Sequence, residues 1–406
     1  MKTFLLAAAL IATSGTAGAQ AVDSTPADTA YVVYHDSPIT LPLPFGLRVP
    51  TYDRVDGLTL PWGPRLVTSD EKIRIDATVA YRSHLGNFEP SFDGELHPRE
   101  GQALTLYAAR ATFTNDDWIR NDLANTVASF GVGSDARNYF RADRIEAKYN
   151  PTMRLGAFDL TPMVGGRFEN DWSTGSAFPG CSPLVSCGFP LTRTSYPWSI
   201  FGRSDTLNMR RPNPQIAKGH IASALAGGVL AIDRVGLTAK LSATIEHAFR
   251  APPPCCGGTG RNFTQATLHA EATFPTFGEQ RFTFRGHALR SSGGLALLQR
   301  AGYLGGAGTL ATVDLLQLGG TRLLFLQGDY YAPIGRISLP VLGSPYVDLR
   351  YATGNAGIFA MPSLIQNLGI GVGISYLRVG YTIDPARHRS PYSRRSDFSV
   401  GLSLTR

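Results

Sequence analysis

The sequence predicts an all-β fold, a single-chain antiparallel β-barrel that crosses a membrane. Residues 235–249 alternate between apolar and polar side chains, which is the period of a strand with one dry face and one wet face. This run is much longer than the roughly six residues typical of strands in globular proteins. Similar runs recur along the chain, and the connections between them alternate between short and long, as in bacterial outer-membrane barrels.

The composition agrees with strands that each have one polar face. Of the 406 residues, 43% are hydrophobic and 17% are charged, and 44 are glycine. The formal net charge is +7, and most of the positive charge comes from arginine. A basic chain can bind nucleic acid, but the sequence has no Lys/Arg cluster interleaved with aromatic residues on one face. We therefore expect no nucleic-acid partner.

The N-terminal residues 1–19 have the pattern of a secretory signal peptide. Lys2 precedes an apolar run over residues 4–12, and Ala17-Gly18-Ala19 supplies a small-residue cleavage site. No later window holds the ~18 consecutive apolar residues that a transmembrane helix requires. If the exported chain crosses a membrane, it must therefore do so as a closed barrel.

The predicted barrel occupies residues 57–406, and the Pro-rich residues 20–56 form a periplasmic lead-in or a segment inside the lumen. Residues 368–383 change parity at Tyr376, which predicts either one bulged strand or two strands with a tight turn. Bacterial single-chain barrels have even strand numbers, so we expect about 14 strands, within a range of about 12–16. The predicted strands lie near 57–67, 71–82, 101–113, 140–149, 155–171, 217–232, 235–249, 262–275, 281–290, 320–332, 344–352, 368–383 and 396–405.

The two faces of these strands have separate expected environments. Apolar positions such as Leu241 are expected to face lipid, and the opposite polar positions are expected to face the lumen. A soluble β-sandwich would also alternate, but it has no reason to place its long loops at one end. The residues expected to face the lumen are Arg74, Asp76, Lys240, Glu246, His269, Glu271, Arg285, Asp348 and Arg350.

The predicted outer loops, near 114–139, 172–216, 250–261 and 291–319, contain the four cysteines of the chain. An even cysteine count in an exported chain suggests disulfides. Cys181 and Cys187 close a short loop and are a plausible pair. Adjacent cysteines bridge each other only with strain, so Cys255 or Cys256 is a candidate to pair across loops.

The outer loops are also rich in arginine, including Arg211 and Arg300. A guanidinium binds phosphate through a planar fork that lysine lacks. We therefore expect contacts with lipopolysaccharide phosphates at the outer rim, although a genomic preference for arginine codons is an equal explanation. The candidate residues for these contacts are Arg387, Arg389, Arg394 and Arg395.

No motif in the chain predicts a catalytic centre, a cofactor or a metal site. His35, Asp36 and Ser37 are adjacent, and adjacent residues do not normally present the geometry of a catalytic triad. The glycine-rich residues 305–309 lack the Lys-Ser/Thr of a phosphate-binding loop and are expected to form a flexible turn. The segment 116–130 predicts a short amphipathic helix that caps the mouth or lies in the lumen. Its predicted apolar face contains Trp118, Leu123, Val127 and Phe130.

Several short motifs resemble one family of barrels. "YDRVDGLTLPWG" at 52–63 is similar to the first strand of the outer-membrane surface-antigen and assembly barrels, the BamA/TamA-like superfamily. Residues 114–151 are similar to a segment of uncharacterised members, and 303–310 and 328–335 resemble their glycine-rich loop and the following strand. "YLRVGYTIDPAR" at 376–387 resembles their penultimate strand. The resemblance implies a barrel in the outer membrane of a bacterial cell.

The chain also departs from the family pattern. There is no room for the periplasmic repeat domains with which BamA-like proteins receive clients. The Arg-Gly-Phe/Tyr motif of their inward loop is replaced here by "GGAGTLATVDLL" at 305–316, and the chain ends in Arg406 rather than an aromatic residue. The resemblance therefore does not imply an insertase or secretion role.

The sequence thus predicts a barrel of surface-antigen type with a structural or interaction role and no enzymatic activity. A porin-like channel for small polar solutes is one alternative, and a membrane-embedded lipid hydrolase is another. The expected partners are outer-membrane lipid, lipopolysaccharide, and the barrel-assembly machinery during insertion.

Overall fold

A computed structural model describes most of the chain beyond residue 38. The described residues are 39–40, 46–174, 176–177, 191–193, 198–201, 211, 213–253, 262–293, 298–335, 344–374, 377–386 and 393–402. They all belong to one compact unit, Pro38–Arg406. The predicted signal peptide, the four cysteines, Arg387 and Arg389 lie outside the described residues.

Within these ranges the chain forms 24 strands, a short 3-10 turn at Leu298–Arg300 and a helix, α1, at Asp122–Val132. No helix in the described part of the chain is long and apolar enough to span a membrane. The strands are β1 Ile39–Thr40, β2 Thr51–Asp53, β3 Gly57–Trp62, β4 Arg65–Val67, β5 Ile73–Arg82, β6 Asn87–Leu96, β7 Gln102–Phe113, β8 Phe140–Pro151, β9 Met153–Leu155, β10 Phe158–Trp172, β11 Ser176–Ala177, β12 Leu191–Arg193, β13 Asn213–Pro214, β14 Gly219–Arg234, β15 Leu237–Arg250, β16 Phe263–Pro275, β17 Arg281–Gly293, β18 Gly302–Leu304, β19 Leu318–Gly320, β20 Arg322–Pro333, β21 Tyr346–Gly357, β22 Ile365–Ile374, β23 Leu377–Ile383 and β24 Ser396–Leu402.

Nineteen of these strands form one antiparallel sheet. Three pairs of strands, β1 with β2, β3 with β4, and β8 with β9, are pieces of a single pass, because the members of each pair lie along a common neighbouring pass. The described sheet therefore has sixteen successive passes. Residues 368–383 form two antiparallel strands, β22 and β23, as one of the two sequence alternatives predicted.

The sixteen described passes lie within the expected range of about 12–16 but exceed the best estimate of about 14, because two passes have weak sequence patterns. β6 alternates, but Pro90 and Gly94 stand at its outward positions, and both residue types are depleted in strands. Pro90 is tolerated because the pairing of β6 with β7 begins only at Ser91. The first pass, β1 and β2, lies in the Pro-rich stretch that had been expected to contain no strand.

The connections divide between the two ends of the sheet. At the inner end, β5 follows β4, β15 follows β14 and β23 follows β22 after short turns. At the opposite, outer end lie the long connections 114–139, 173–218, 251–262, 294–321 and 384–395. The outer end also has two short turns, at 54–56 and 83–86. The inner end has one long connection, 334–345, which is as long as 251–262 and 384–395, so the predicted segregation of long and short connections is present only in part.

Contacts between distant parts of the chain show that the sheet curls around a common interior. The side chain of Asn115, after β7, donates to the carbonyl oxygen of Gln299 at 2.6 Å. Arg54, next to β2, donates to the carbonyl oxygen of Arg211 at 2.5 Å. A flat sheet could not bring these residues together. Among the described residues, however, β24 pairs only with β23 and the first pass only with the second, so the two edges are not joined.

The two faces of the sheet differ in the way the alternation requires. On β15, Leu241, Ile245 and Phe249 are exposed on the outward face. Glu246, which has the opposite parity, is buried on the inward face. The largest apolar cluster is also inside, where Leu304 and Leu310 from the connection 294–321 pack against Phe325 of β20. The hydrophobic core of this protein therefore consists of loop residues packed on the inner face of the sheet.

Candidate functional site

Three loop segments meet inside the sheet at its outer end. We call residues 114–121 and 133–139, which flank α1, together with residues 211, 213–216 and 298–320, the outer plug. The segments contact one another directly, since Ile119 and Ala136 pack against Ala301, Tyr303 and Leu316. A loop that bends inward must satisfy its backbone polar groups without water. The segment 302–320 does so partly by pairing β18 with β19.

Arg300 pairs the outer plug with two carboxylates of the wall. It is 3% exposed, and its Nε and Nη2 lie 2.9 and 3.0 Å from the two carboxylate oxygens of Glu246 on β15. Its Nη2 also contacts Glu169 on β10. A buried guanidinium held by two carboxylates in this bidentate geometry forms strong charge-assisted hydrogen bonds. Arg300 thereby fixes the start of segment 298–320 to two strands of the wall.

The same carboxylates also bind arginines of the wall itself. Arg144 contacts Glu169, and Nη1 of Arg167 lies 3.6 Å from Glu246. Nε of Arg167 donates to Glu146 at 2.5 Å. The result is a continuous row of alternating charges across β8, β10 and β15, in which Arg300 is the member supplied by a loop.

A second ionic cluster lies on the inner face of the early strands. Nε of Arg82 lies 2.6 Å from Glu89, and Arg82 also contacts Asp56. Arg141 contacts Glu89 from β8, and Thr112 donates to Asp56 at 2.7 Å. Because these groups are buried and paired, they tie the first outer turn, 54–56, to the wall.

Arg54 is a fully buried arginine held mainly by carbonyl groups. Besides the carbonyl oxygen of Arg211, its guanidinium reaches the carbonyl oxygen of Arg137 at 3.0 Å and contacts the side chain of Asn213. Its backbone N–H donates to Asp135 at 3.0 Å. Arg54 thus joins segments 114–139 and 211–216 to the first pass.

The centre of the outer plug packs on aromatic side chains of the wall. The ring of Trp118 stacks on His287 of β17, with 4.1 Å between ring centroids and 12° between planes. Phe325 of β20 contacts the same indole at 5.5 Å. Trp118 therefore lies inside the sheet, not on the apolar face of the predicted helix.

The glycine-rich residues 305–309 form a hydrogen-bonded turn in which Gly305 and Thr309 are buried and Ala307 is exposed. The N–H of Gly305 donates to Thr309 at 2.8 Å, and Arg285 of β17 donates to the carbonyl oxygen of Gly308 at 2.7 Å. Gly305 has φ +127°, and a Cβ there would lie 2.1 Å from the carbonyl oxygen of Asp314. Glycine is required because of both this backbone conformation and this close approach.

Burial shifts the pKa of several groups in the outer plug. Burial raises the pKa of Asp116 to about 7 and lowers the pKa of Arg211 to about 9. Burial alone lowers the pKa of Arg300, but Glu169 and Glu246 more than compensate and hold it well above its ordinary value. Arg300 thus stays charged inside the plug, whereas Asp116 changes its charge near neutral pH.

The structure places the predicted lumen residues in different surroundings. Only Glu246 contacts the outer plug through a carboxylate, and Arg285 contacts it through its guanidinium. Lys240, Glu271 and Arg285 are consecutive partners across β15, β16 and β17. Three of the remaining residues form ion pairs: Asp76 with Arg48 and Arg65, Asp348 with Arg378, and Arg350 with Asp329. The ring of His269 lies near the ring of His287, and Arg74 is exposed.

The outer-rim arginines require one correction. Arg211 and Arg300 belong to predicted outer loops, but both are used inside the plug and are not available to bind lipid phosphate. Arg394 is more than half exposed and pairs with Asp314 of the outer plug at 2.9 Å. Arg395 is exposed. Sequence analysis missed the roles of Arg54, Glu169 and Arg300, since their partners are distant in the sequence.

The inner half of the interior is more open. A cavity of about 670 Å³ lies on the inner face near the inner end, lined by polar residues including Glu95, Gln102, Asn150 and Ser242. Within the described ranges, no three His, Cys, Asp or Glu side chains are placed to hold a metal ion. The arrangement is therefore an interior that is obstructed at the outer end and has space at the inner end.

Comparison with known proteins shows the fold. No protein-family model and no curated protein sequence matches the chain. Among solved structures, BamA from Haemophilus ducreyi lacking POTRA domains 1–3 matches with a TM-score of 0.51 at 9% identity, over 87% of this chain and 69% of that chain. The predicted resemblance to BamA-like barrels is confirmed as a likeness of fold.

Two further structures match less closely. CdiB from Escherichia coli has a TM-score of 0.46 at 10% identity, over 88% of this chain and 62% of that chain. CdiB from Acinetobacter baumannii has a TM-score of 0.43 at 11% identity, over 87% and 58%. This chain spans less than two thirds of either CdiB chain.

Proposed function

We propose that this protein is an integral outer-membrane β-barrel that acts as a surface interaction barrel and not as a diffusion channel or an enzyme. The clamp of Arg300 on Glu246 and Glu169 carries this proposal, because it holds loop residues across the interior at the outer end. A solute path requires an open lumen. Here the outer plug occupies the route that a solute would take.

The two faces of the sheet support the proposed location. Outward positions such as Leu241 and Ile245 are exposed and apolar, which is unfavourable in water and favourable in hydrocarbon. Insertion into the bacterial outer membrane makes barrel-assembly machinery and outer-membrane lipid the first expected partners. The exposed Arg394 and Arg395, with Arg387 and Arg389 outside the described residues, remain our candidates for lipopolysaccharide phosphate.

A liposome-swelling experiment tests the plugged state. Purified protein is refolded into phospholipid vesicles, which are then transferred to isotonic arabinose. We expect no swelling above that of protein-free vesicles. A variant that lacks residues 301–317 is the positive control, because it removes most of the inward loop and should admit the sugar. Swelling by the unmodified protein would instead support the porin-like alternative.

A second candidate function is assistance in the assembly of other barrels. One observation favours it: in the described part of the chain, the first pass and β24 leave the sheet with two edges that are not paired with each other. An open edge offers backbone groups to an incoming strand. A photo-crosslinking residue at Val400 on β24 should then capture other outer-membrane proteins, whereas the same residue at Ile245 in the middle of the sheet should not.

A further inference from the structure

Helix α1 occupies the open edge of the first pass at the outer end. The backbone N–H of Tyr52, in β2, donates to the hydroxyl oxygen of Thr126 on α1 at 3.1 Å. Two residues later, the N–H of Arg54 donates to Asp135, just beyond the helix. On its other side β2 pairs with β3. The helix and the residues that follow it therefore stand where a neighbouring strand would stand in a closed barrel.

The polarity of α1 is the reverse of that of a helix at a water surface. Leu123, Val127 and Phe130 have the i, i+4, i+7 spacing of one helix face and are 55%, 37% and 38% exposed. Asn125 and Ser129, on the opposite face, are buried. In water-soluble proteins the apolar stripe faces the core. In α1 the polar groups face the protein interior and the apolar stripe faces outward.

The buried polar face has its own hydrogen-bond partners. Asn125 donates to Asp135 and to the hydroxyl of Tyr139, each at 3.2 Å, and accepts from the N–H of Ala136 at 3.0 Å. These three hydrogen bonds of Asn125 fix the rotation of the helix about its axis. The outward direction of the apolar stripe is therefore determined by packing.

The apolar stripe continues onto a neighbouring segment. The N–H groups of Ile200 and Phe201 donate to the carbonyl oxygens of Phe130 and Gly131 at 2.9 and 2.8 Å. Their side chains are exposed, as are those of Val132 and Trp198. We call Leu123, Val127, Phe130, Val132, Trp198, Ile200 and Phe201 the α1 patch. Asp122, in the first turn, is the one charged residue of α1, and it accepts from Arg137 at 2.6 Å.

The α1 patch is continuous with the outward face of the sheet. Tyr52 lies directly opposite Leu58 of β3, and residues opposite each other on neighbouring strands share a face. Leu58 and Trp62 on that face are exposed apolar side chains. The ring of Tyr52 is in turn covered by Phe130 and Trp198, at centroid distances of 5.3 and 6.4 Å.

We propose that α1 is a lipid-facing element of the barrel wall, and that the α1 patch binds the acyl chains of the outer leaflet beside the first pass. The inference rests on the proposed membrane location. The α1 patch is apolar and continues the lipid face of the sheet. Acyl chains are therefore the partner that matches it. The helix then protects the outer end of the first pass from lipid by covering its backbone groups.

Spin-label accessibility tests this proposal. A keto-bearing amino acid that carries a nitroxide is introduced at Val127, or at Leu123, in the full chain, which leaves the native cysteines unchanged. The protein is reconstituted in dimyristoylphosphatidylcholine vesicles. We expect the label to collide more with oxygen, which concentrates in hydrocarbon, than with a water-soluble nickel chelate. The same label at Leu241 reports a lipid-facing strand, and at Phe277, in an exposed inner turn, it reports water.

The outcomes separate the two proposals. If Leu241 shows the lipid pattern and the helix labels collide mainly with nickel, α1 faces water and the inference is overturned while the membrane barrel stands. If the labels on α1 are shielded from both reagents, then protein, such as a second copy or a partner, covers the α1 patch. This result would also overturn the inference that α1 faces lipid. A water pattern at Leu241 would remove the proposed membrane location itself.

Discussion

Arg300 and Glu246 form a bidentate pair inside the sheet, with Nε 2.9 Å from Oε2 and Nη2 3.0 Å from Oε1. Arg300 belongs to a connection at the outer end, whereas Glu246 belongs to a strand of the wall. The pair therefore links the position of a loop to the structure of the sheet. Its loss should affect both the stability of the protein and the obstruction of its interior.

Replacing Arg300 by methionine should loosen the outer plug. Breaking a buried ion pair costs roughly 3–5 kcal/mol, and we expect the lower end because Glu169 and Glu246 keep Arg144 and Arg167 as neighbours. On a gel, the compact band of the unboiled variant should convert to the slower, unfolded band at a lower temperature than that of the unmodified protein. Chymotrypsin should cut the variant near Tyr303. Arg110→Met removes an exposed pair with Asp143 and is the matched control, with an expected loss below about 1 kcal/mol. Equal effects of the two substitutions would contradict the clamp.

The two faces of β15 should tolerate arginine differently. Leu241 is 40% exposed on the outward face, and a lipid-facing arginine near the membrane midplane costs roughly 2–4 kcal/mol. Leu241→Arg should therefore reduce the yield of folded barrel in vesicles, measured by the gel shift. Thr238→Arg, on the polar face, should fold like the unmodified protein. If Thr238→Arg reduced the folded yield more than Leu241→Arg does, the assigned register of β15 would be wrong by one residue.

The outer plug should become less stable as pH rises toward neutrality. Burial raises the pKa of Asp116 to about 7, so the folded protein keeps a proton between about pH 4 and 7 that the unfolded chain releases. The stabilisation is complete below the unfolded pKa and is lost as pH rises through 7. Hydrogen exchange at the N–H of Asn138, which donates to Asp116, should therefore be faster relative to the intrinsic rate at pH 8 than at pH 5.

Asp116→Asn should reduce that pH dependence at Asn138, since asparagine keeps an acceptor oxygen and has no charge to bury. Asp117→Asn, at the exposed neighbouring position, should leave it unchanged. A pH profile that persists in the Asp116 variant would assign the effect to another group.

Gly305→Ala should disrupt the hydrogen-bonded turn of the outer plug. A Cβ at Gly305 would lie 2.1 Å from the carbonyl oxygen of Asp314, in a backbone conformation that L-residues rarely adopt. Gly278→Ala is the control, because Gly278 also has a positive φ but a Cβ there meets nothing within 4 Å. We expect a clearly lower transition temperature for the first variant and a loss on the order of 1 kcal/mol for the second. If the two variants have the same transition temperature, the close approach at Gly305 is not important for the stability of the plug.

The sequence predicted the strands whose alternation is long and uninterrupted, such as β5, β15 and β16. It missed β6, in which Pro90 and Gly94 weaken the pattern, and the first pass, which is built from short pieces. In both cases pairing with neighbouring strands outweighs local propensity. The helix was expected from its apolar spacing, but spacing does not tell which environment the apolar face meets.

The site was much harder to predict. Arg300 lies 131 residues from Glu169 and 54 residues from Glu246, so no local pattern connects them. Arg54 and Arg211 are 157 residues apart. An arginine in a polar loop has the same sequence signature whether it faces solvent or enters the interior. Only the curvature of the sheet decides which of these arginines is buried.

The inward position of residues 298–320 imposes an order on the biogenesis of the protein. This connection joins β17 to β20, yet its first residues are bound to β10 and β15, and Thr312 bonds to Asn367 of β22. Once the wall has curled, we expect this connection to be unable to thread into an interior that already holds residues 114–121 and 133–139. We therefore expect the connection to enter while the early strands and the late strands are still apart. Formation of the Arg300 contacts should accordingly be an obligatory early step of insertion, and a nascent chain arrested before residue 300 should remain a loosely curled sheet.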